Sequence, residues 1–253
     1  MSAIIHQFFE PVRKPAPDEI TDDELMSPMA EVLTTLSKIS SQSTYIIDYT
    51  RKEFQYVSPH PLFLCGYSAM QVQNMGYHYY EKMVHPEDLR MLLEINKCGF
   101  EFFYNLPIEL RHSCSICYNF RLKHLNGDVI LVNHQLTPLT ISKSGNLLRA
   151  LCVVIPAHYD QAGMASIRVA STPLVYVYLP QKKKFVAGSF QMLSDREKQT
   201  LSLGLRGLKA TEIASKLNIS PSTVKYHKQN IYKKLNVNNM HEASYLATVN
   251  QLL

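Results

Sequence analysis

Ser220-Pro-Ser-Thr-Val-Lys-Tyr-His-Lys-Gln-Asn-Ile-Tyr-Lys-Lys-Leu235 reads as one helix with two unlike faces. Ser220 suits the N-cap and Pro221 the first helical position. Val224, His227, Ile231 and Leu235 recur at three, four and four residues, so they are expected on one buried face. Ser222, Lys225, Tyr226, Gln229 and Lys233 share another face, which is polar, donor-rich and free of carboxylates.

Upstream, Ser194-Asp-Arg-Glu197 is a capping box that opens an earlier helix. Leu201 and Leu205 are expected to face inward there, and Gly207 to end it. A second helix starts near Lys209 and packs through Ile213, Ala214 and Leu217. Asn218 then tolerates a left-handed turn. Two helices joined in this way form a helix-turn-helix, whose second helix enters the major groove of duplex DNA. Lys225 can donate to guanine O6/N7, Gln229 can bond adenine N6/N7, and Tyr226 can touch a thymine methyl or a phosphate. Ser222, Thr223, Lys209 and Lys233 are better placed to grip phosphates. The charge agrees. Residues 1–181 carry 14 Lys/Arg and 17 Asp/Glu, whereas residues 182–253 carry 12 and 4. Such asymmetry points to a C-terminal module that meets a polyanion.

Leu193-Ser-x-Arg-Glu197, Gly207, Glu212-Ile-Ala214, Leu217-Asn-Ile-Ser220, Thr223-Val-Lys-Tyr-His227 and Asn230-Ile-Tyr-Lys-Lys-Leu235 closely resemble the LuxR/NarL-type helix-turn-helix. The resemblance covers about the last 60 residues. It implies an all-α four-helix domain over 190–253 whose third helix reads DNA. A fourth helix, here 239–250, often makes the dimer in that family. The positions matching its base contacts are Lys225, Tyr226 and Gln229. Asn218 departs from the family, which often has Gly there.

The remaining sequence is of another kind. The 253 residues are 46% hydrophobic and 19% charged, which excludes collagen-like repetition, wholesale disorder and a disulfide scaffold. No window approaches a membrane span, and the first residues carry no secretion signal. Five cysteines at irregular spacing (Cys65, Cys98, Cys114, Cys117, Cys152) suit a reducing cytoplasm. Residues 1–20 hold three prolines and read as an arm without a core of its own. A capping box, Thr21-Asp-Asp-Glu24, predicts a helix with Leu25, Met29, Val32, Leu33 and Leu36 on one stripe. Tyr45-Ile-Ile-Asp48 and Phe54-Gln-Tyr-Val57 form a hairpin pattern. Short helices follow over 61–65, 68–74 and 77–83, then a longer one over 86–105 with Pro86 at its first position. Strands over 118–124, 129–140 and 147–156 make a meander with Asn-Gly and Ser-Gly turns. Residues 158–169 lack a period and read as a linker. A last hairpin joins 174–179 to 184–186.

This order, with Gly66-Tyr-Ser68, Val84-His-Pro-Glu-Asp88, Phe120-Arg121 and Asn126-Gly127, resembles a PAS domain. The resemblance implies a five-stranded antiparallel sheet with helices on one face, which senses a ligand or light or mediates dimerisation. His85 is read as shaping the turn before a helix rather than as a haem ligand. Cys114-Ser-Ile-Cys117 lacks the second ligand pair of a zinc site, and strand positions three apart face opposite ways. Phe63, Tyr67, Tyr79, Tyr80, Phe100, Phe102 and Phe103 line either a pocket or an ordinary core, since both use the same side chains. No catalytic constellation, phosphate loop or nucleophile elbow is present. Asp22-Asp23 lack the strand-end aspartate of a phospho-receiver. The absence of Trp disfavours an acyl-homoserine-lactone pocket.

The expectation is therefore an α+β chain. It has an N-terminal arm and helix (1–40), a PAS-like sensor domain (41–157), a linker with hairpin (158–189) and a helix-turn-helix domain (190–253). Its expected function is sequence-specific transcription regulation in the cytoplasm as a homodimer, without enzymatic activity. The state of the PAS-like domain would alter the placement of the two recognition helices. The expected partners are double-stranded DNA and RNA polymerase, with no membrane. The residues name no cofactor, metal or ligand. The alternative is an interaction or dimerisation module with only non-specific DNA binding.

Overall fold

Asp48 turns the first hairpin. It ends β1 (Ser43–Asp48), and its Oδ1 accepts from the Thr50 and Arg51 N–H groups at 2.8 and 2.9 Å. That side-chain turn, with Lys52 at φ 61°, feeds β2 (Glu53–Val57). The computed structural model describes residues 2–16, 26–157, 162–170, 172, 174–188, 193–235, 237, 239, 240 and 243. They fall into two units, Met1–Ala187 and Gly188–Leu253.

In the first unit the expected meander is present as β3 (Cys114–Lys123), β4 (Val129–Ile141) and β5 (Leu147–Pro156). Tyr118 pairs with His134 and Thr137 with Leu151. The β4–β5 turn needs Gly145. Its φ is +85°, and a Cβ there would lie 2.3 Å from an Arg111 guanidinium nitrogen. That buried guanidinium donates to the Gly145, Tyr104 and Leu106 carbonyls. The strand order β2-β1-β5-β4-β3, all antiparallel, is a PAS-like sheet.

The segment read as a linker is partly sheet. β6 (Ala165–Val169) pairs antiparallel with β3. β7 (Val175–Leu179), a 3-10 turn (Pro180–Lys182) and β8 (Lys184–Gly188) follow. The sheet thereby grows to eight strands. β6 was missed because its stability comes from pairing with the free edge of β3, and nothing in its own period shows that.

Helices cover the inner face: α1 (Ala3–Phe9), α3 (Pro61–Leu64), α4 (Ala69–Met75), α5 (His78–Met83), α6 (Pro86–Asn105) and α7 (Ile108–Arg111). α1 belongs to the core: Ile5, Phe8 and Phe9 are buried, and Phe9 packs 4.4 Å from the Tyr77 ring. His85 caps α6, and its N–H donates to the Arg121 carbonyl. Asp88, buried in the first turn of α6, accepts from the Arg121 N–H at 2.7 Å and from its guanidinium. α2 (Met26–Ile39) lies on the outer face, where Leu33 packs with Ile46 and Tyr56. Its expected stripe is split: Leu33 is buried, but Val32 and Leu36 are exposed. Its expected capping box and Leu25 lie outside the described residues.

The second unit contains α8 (Asp195–Leu205), α9 (Ala210–Leu217) and α10 (Pro221–Leu235). Leu201 is fully buried as expected, whereas Leu205 is 45% exposed. It ends its helix, past the reach of the packing that covers Leu201. Most of the expected helix over 239–250 lies outside the described residues, but Ala243 is buried and its N–H donates to the Asn239 carbonyl.

Candidate functional site

α10 is built by local chemistry and held by its neighbours. Asn218 adopts the left-handed conformation (φ 55°, ψ 46°) that ends α9. The Ile219 N–H then donates to the Ala214 carbonyl. Ser220 Oγ accepts the Thr223 N–H at 3.1 Å, the bond of an N-cap. Ser220→Ala is expected to lower the stability of this unit by about 1 kcal/mol, read as an earlier urea midpoint. Val224 packs with Ile213 and Ala214, while Ile231 and Leu235 pack with Leu193 and Leu201. His227, expected on this face, is only half-buried.

An ion pair with a buried carboxylate and a half-buried ammonium fastens α10 to α8. Lys234 Nζ lies 2.7 Å from Glu197 Oε2, and the same oxygen accepts the Ser194 N–H at 2.7 Å. Burial works to raise the Glu197 pKa, but the Lys234 and Ser194 bonds outweigh it and hold the carboxyl below its ordinary range.

The opposite face of α10 is open. Ser222, Lys225, Tyr226, Gln229 and Lys233 are exposed, Tyr226 by 61%. Thr223 is half-buried. Lys209 lies across the turn as the exposed N-cap of α9, with its N–H held by Glu212 Oε2 at 2.6 Å. The Ser222 and Thr223 hydroxyls both bond Ser220 Oγ, at 2.6 and 2.8 Å, which orients them at the helix N-terminus. Unpaired N–H groups and the helix dipole favour an anion there.

The first unit holds a second candidate, inside its core. A cavity of about 50 Å³ lies between α6 and the sheet, lined by Tyr49, Phe100, Phe103, Ile116, Tyr118 and Leu136 among others. Of the aromatics weighed from sequence, only Phe100 and Phe103 line it. Phe63, Tyr79 and Tyr80 are packed solid in the core. Phe63 stacks on Tyr45 at 4.4 Å. Tyr67 sits under Lys82, and Phe102 packs on Tyr176. Tyr118, Ile116 and Leu136 were missed, although strand alternation puts them on the inner face. Beside the cavity, His134 is fully buried with its ring 4.7 Å from that of Tyr118. Its Nε2 meets the Tyr45 hydroxyl, which also bonds the Tyr80 hydroxyl, and its Nδ1 has no hydrogen-bond partner. Burial pushes the imidazole pKa down to about 3. Burial likewise holds the Tyr45, Tyr80 and Tyr118 hydroxyls well above the usual tyrosine range. Cys114 lies in the inner core, while Cys117 accepts from Asn133, whose neighbour in the strand, His134, faces that core. The two sulfurs thus serve opposite sheet faces. Among the described residues no three His, Cys, Asp or Glu side chains gather as a metal site, and no helix is long and apolar enough to cross a membrane.

Capped helices around small apolar cores, with α10 open on its polar side, define the second unit as a helix-turn-helix domain. Residues 191–247 match the family model GerE, bacterial regulatory proteins of the luxR family. This segment is a LuxR-family domain. Among curated proteins, the chain is 29% identical over 139 residues to the nitrate/nitrite response regulator protein NarL of Escherichia coli, covering 49% of this chain and 62% of NarL. It is 41% identical over 71 residues to NarP of the same organism, covering 27% of this chain and 33% of NarP. The chain thus spans less than two thirds of either relative. Among solved structures, the Vibrio cholerae VqmA dimer without target DNA is similar at TM-score 0.36 and 16% identity, over 88% of each chain. A PAS domain from Colwellia psychrerythraea is similar at TM-score 0.38 and 13% identity, over 53% of this chain and 98% of that one.

Proposed function

We propose that the chain is a transcription regulator that binds duplex DNA in a sequence-dependent way as a homodimer. One observation carries this reading: α10 is fixed by Val224, Ile231 and Leu235 and presents an exposed face without a carboxylate. Lys225 and Gln229 read base edges in this proposal, with Tyr226 against a thymine methyl or a phosphate. Lys209, Ser222, Thr223 and Lys233 grip the backbone and set the register. Two copies would read two half-sites about one helical turn apart. The names of NarL and NarP as response regulators support a regulatory rather than catalytic role, and RNA polymerase is the further partner that such a role brings.

The first unit is the sensor in this reading, and its cavity is where a signal would enter. At about 50 Å³ the cavity is smaller than the ~150 Å³ cavity that accepts benzene, so a ring-sized ligand requires the aromatic core to open.

The test is selection of genomic fragments by the full chain at physiological salt. A shared two-fold motif is the expected result, while uniform, salt-erased binding would favour the interaction-module alternative. On the selected site, Lys225→Ala and Gln229→Ala should each cost about 2 kcal/mol, and unrelated DNA should be less affected. Lys233→Ala should weaken all sequences alike and make the salt slope shallower by about one unit. Equal loss on every DNA for Lys225→Ala would reassign that lysine to the backbone.

A further inference from the structure

α2 leaves apolar side chains in solvent. Val32 is 58% exposed, Leu36 46% and Ile39 83%. They lie at i, i+4 and i+7, so they form one continuous stripe about two turns long. The helix is already seated on its own sheet by Leu33, with Met29 and Ala30 beside it, so the stripe is surplus to that contact. Scattered exposed hydrophobes are ordinary, but a helical stripe of three marks an interaction surface.

The charges beside the stripe indicate its occupant. Glu31 and Lys38 are both exposed and seven residues apart, so they lie on the same flank of α2. They are about 10 Å apart along the axis, too far to pair with each other. Two copies of α2 crossing antiparallel about a two-fold axis near Thr34 and Thr35 satisfy both. Glu31 then faces the partner's Lys38, the partner's Glu31 faces Lys38, and Val32 meets the partner's Leu36 and Ile39. In an isologous contact each surface must complement itself, and this flank does. A parallel pairing would instead bring this flank against the flank seated on the sheet. One helix falls short of the roughly 800 Å² per partner of a stable dimer. Leu151, Val153 and Ile155, half-buried on the same outer sheet face, extend the apolar surface beyond it.

We propose that α2 pairs antiparallel with α2 of a second copy of this chain, through Val32, Leu36 and Ile39, with Glu31 and Lys38 setting the direction. The surface and its charges stand apart from the DNA reading, which contributes only the expectation of two copies. The test is therefore sedimentation equilibrium of the full chain without DNA. The wild type is expected to be a dimer. Leu36→Glu and Ile39→Glu, both at exposed positions, should weaken it at least tenfold with an unchanged far-UV spectrum. Glu31→Lys and Lys38→Glu should each weaken it, and the two together should restore it. A wild type that stays monomeric at about 100 µM overturns the proposal. So does a dimer indifferent to Leu36→Glu and Ile39→Glu, which would place the contact elsewhere. Failure of the double reversal to restore what each single reversal removes overturns the antiparallel register. Loss of DNA binding with these dimer results intact would sink the regulator reading alone.

Discussion

Acidification from pH 6.5 to pH 3 is expected to remove about 4 kcal/mol of stability from the first unit through His134 alone. The ring is fully buried, and burial pushes its pKa down to about 3, against roughly 6.5 for an imidazole in an unfolded chain. Within that window the unfolded chain takes up a proton that the folded chain refuses. Stability therefore falls as pH falls, by up to about 1.4 kcal/mol per unit. The contribution is fully present above the unfolded pKa and is lost progressively down to the folded one. Urea unfolding at a series of pH values reads it directly. His134→Gln keeps a polar group opposite the Tyr45 hydroxyl and removes the titration. The variant should show a flatter dependence between pH 6.5 and 5, above the range where most carboxylates titrate. Equal slopes for the two proteins would show that the ring is not buried neutral.

Lys234→Met should destabilise the second unit by about 3 kcal/mol at pH 7. Glu197 is 3% exposed, and Lys234 is its only cationic partner among the described residues. Removing the ammonium leaves a buried carboxylate held by Ser194 without a cation, and breaking such a pair from one side is costly. The sign with pH checks the cause. In the wild type the Glu197 pKa is lowered, so its contribution is present above the ordinary carboxyl pKa and is lost as pH falls below it. In the variant the carboxyl is easier to protonate, so its deficit against wild type should shrink toward pH 4. Lys233→Met, one residue earlier and exposed, should change stability by less than about 0.5 kcal/mol. A deficit as large for Lys233→Met would point to loss of general charge rather than of this pair.

Much of the fold was legible because it is written in local chemistry. Ser194 with Glu197, Asn218 in the left-handed turn and Ser220 with Pro221 mark the helix ends of the second unit, and each is seen doing so. The β1–β2 hairpin and the β3–β5 meander follow from alternation and turn residues. The polar face of α10 was readable for the same reason. Once the helix and its buried residues are known, the remaining face is fixed by 3.6 residues per turn.

What failed required a partner from far along the chain. β6 has no strong period, and it is a strand because the edge of β3 was free to pair. α1 read as an arm because its Pro-rich surroundings hide Ile5, Phe8 and Phe9, which find Tyr77 and Tyr49 only after folding. Leu205 and His227 fit the apolar period, but no neighbour fully covers them. Periodicity says which residues share a face; it does not say whether anything packs on that face.

The sequence by itself determined the helix caps of the second unit, the β1–β2 hairpin and the β3–β5 meander, which face of α10 is polar, and that basic charge gathers in the last third. Those are properties of a residue and its near neighbours. Only the tertiary structure decided that His134, Asp88 and Glu197 lose their water and that Val32, Leu36 and Ile39 keep theirs. Desolvation is set by atoms that arrive from distant positions, and those distant positions fix both the acid sensitivity of the core and the stripe left on α2.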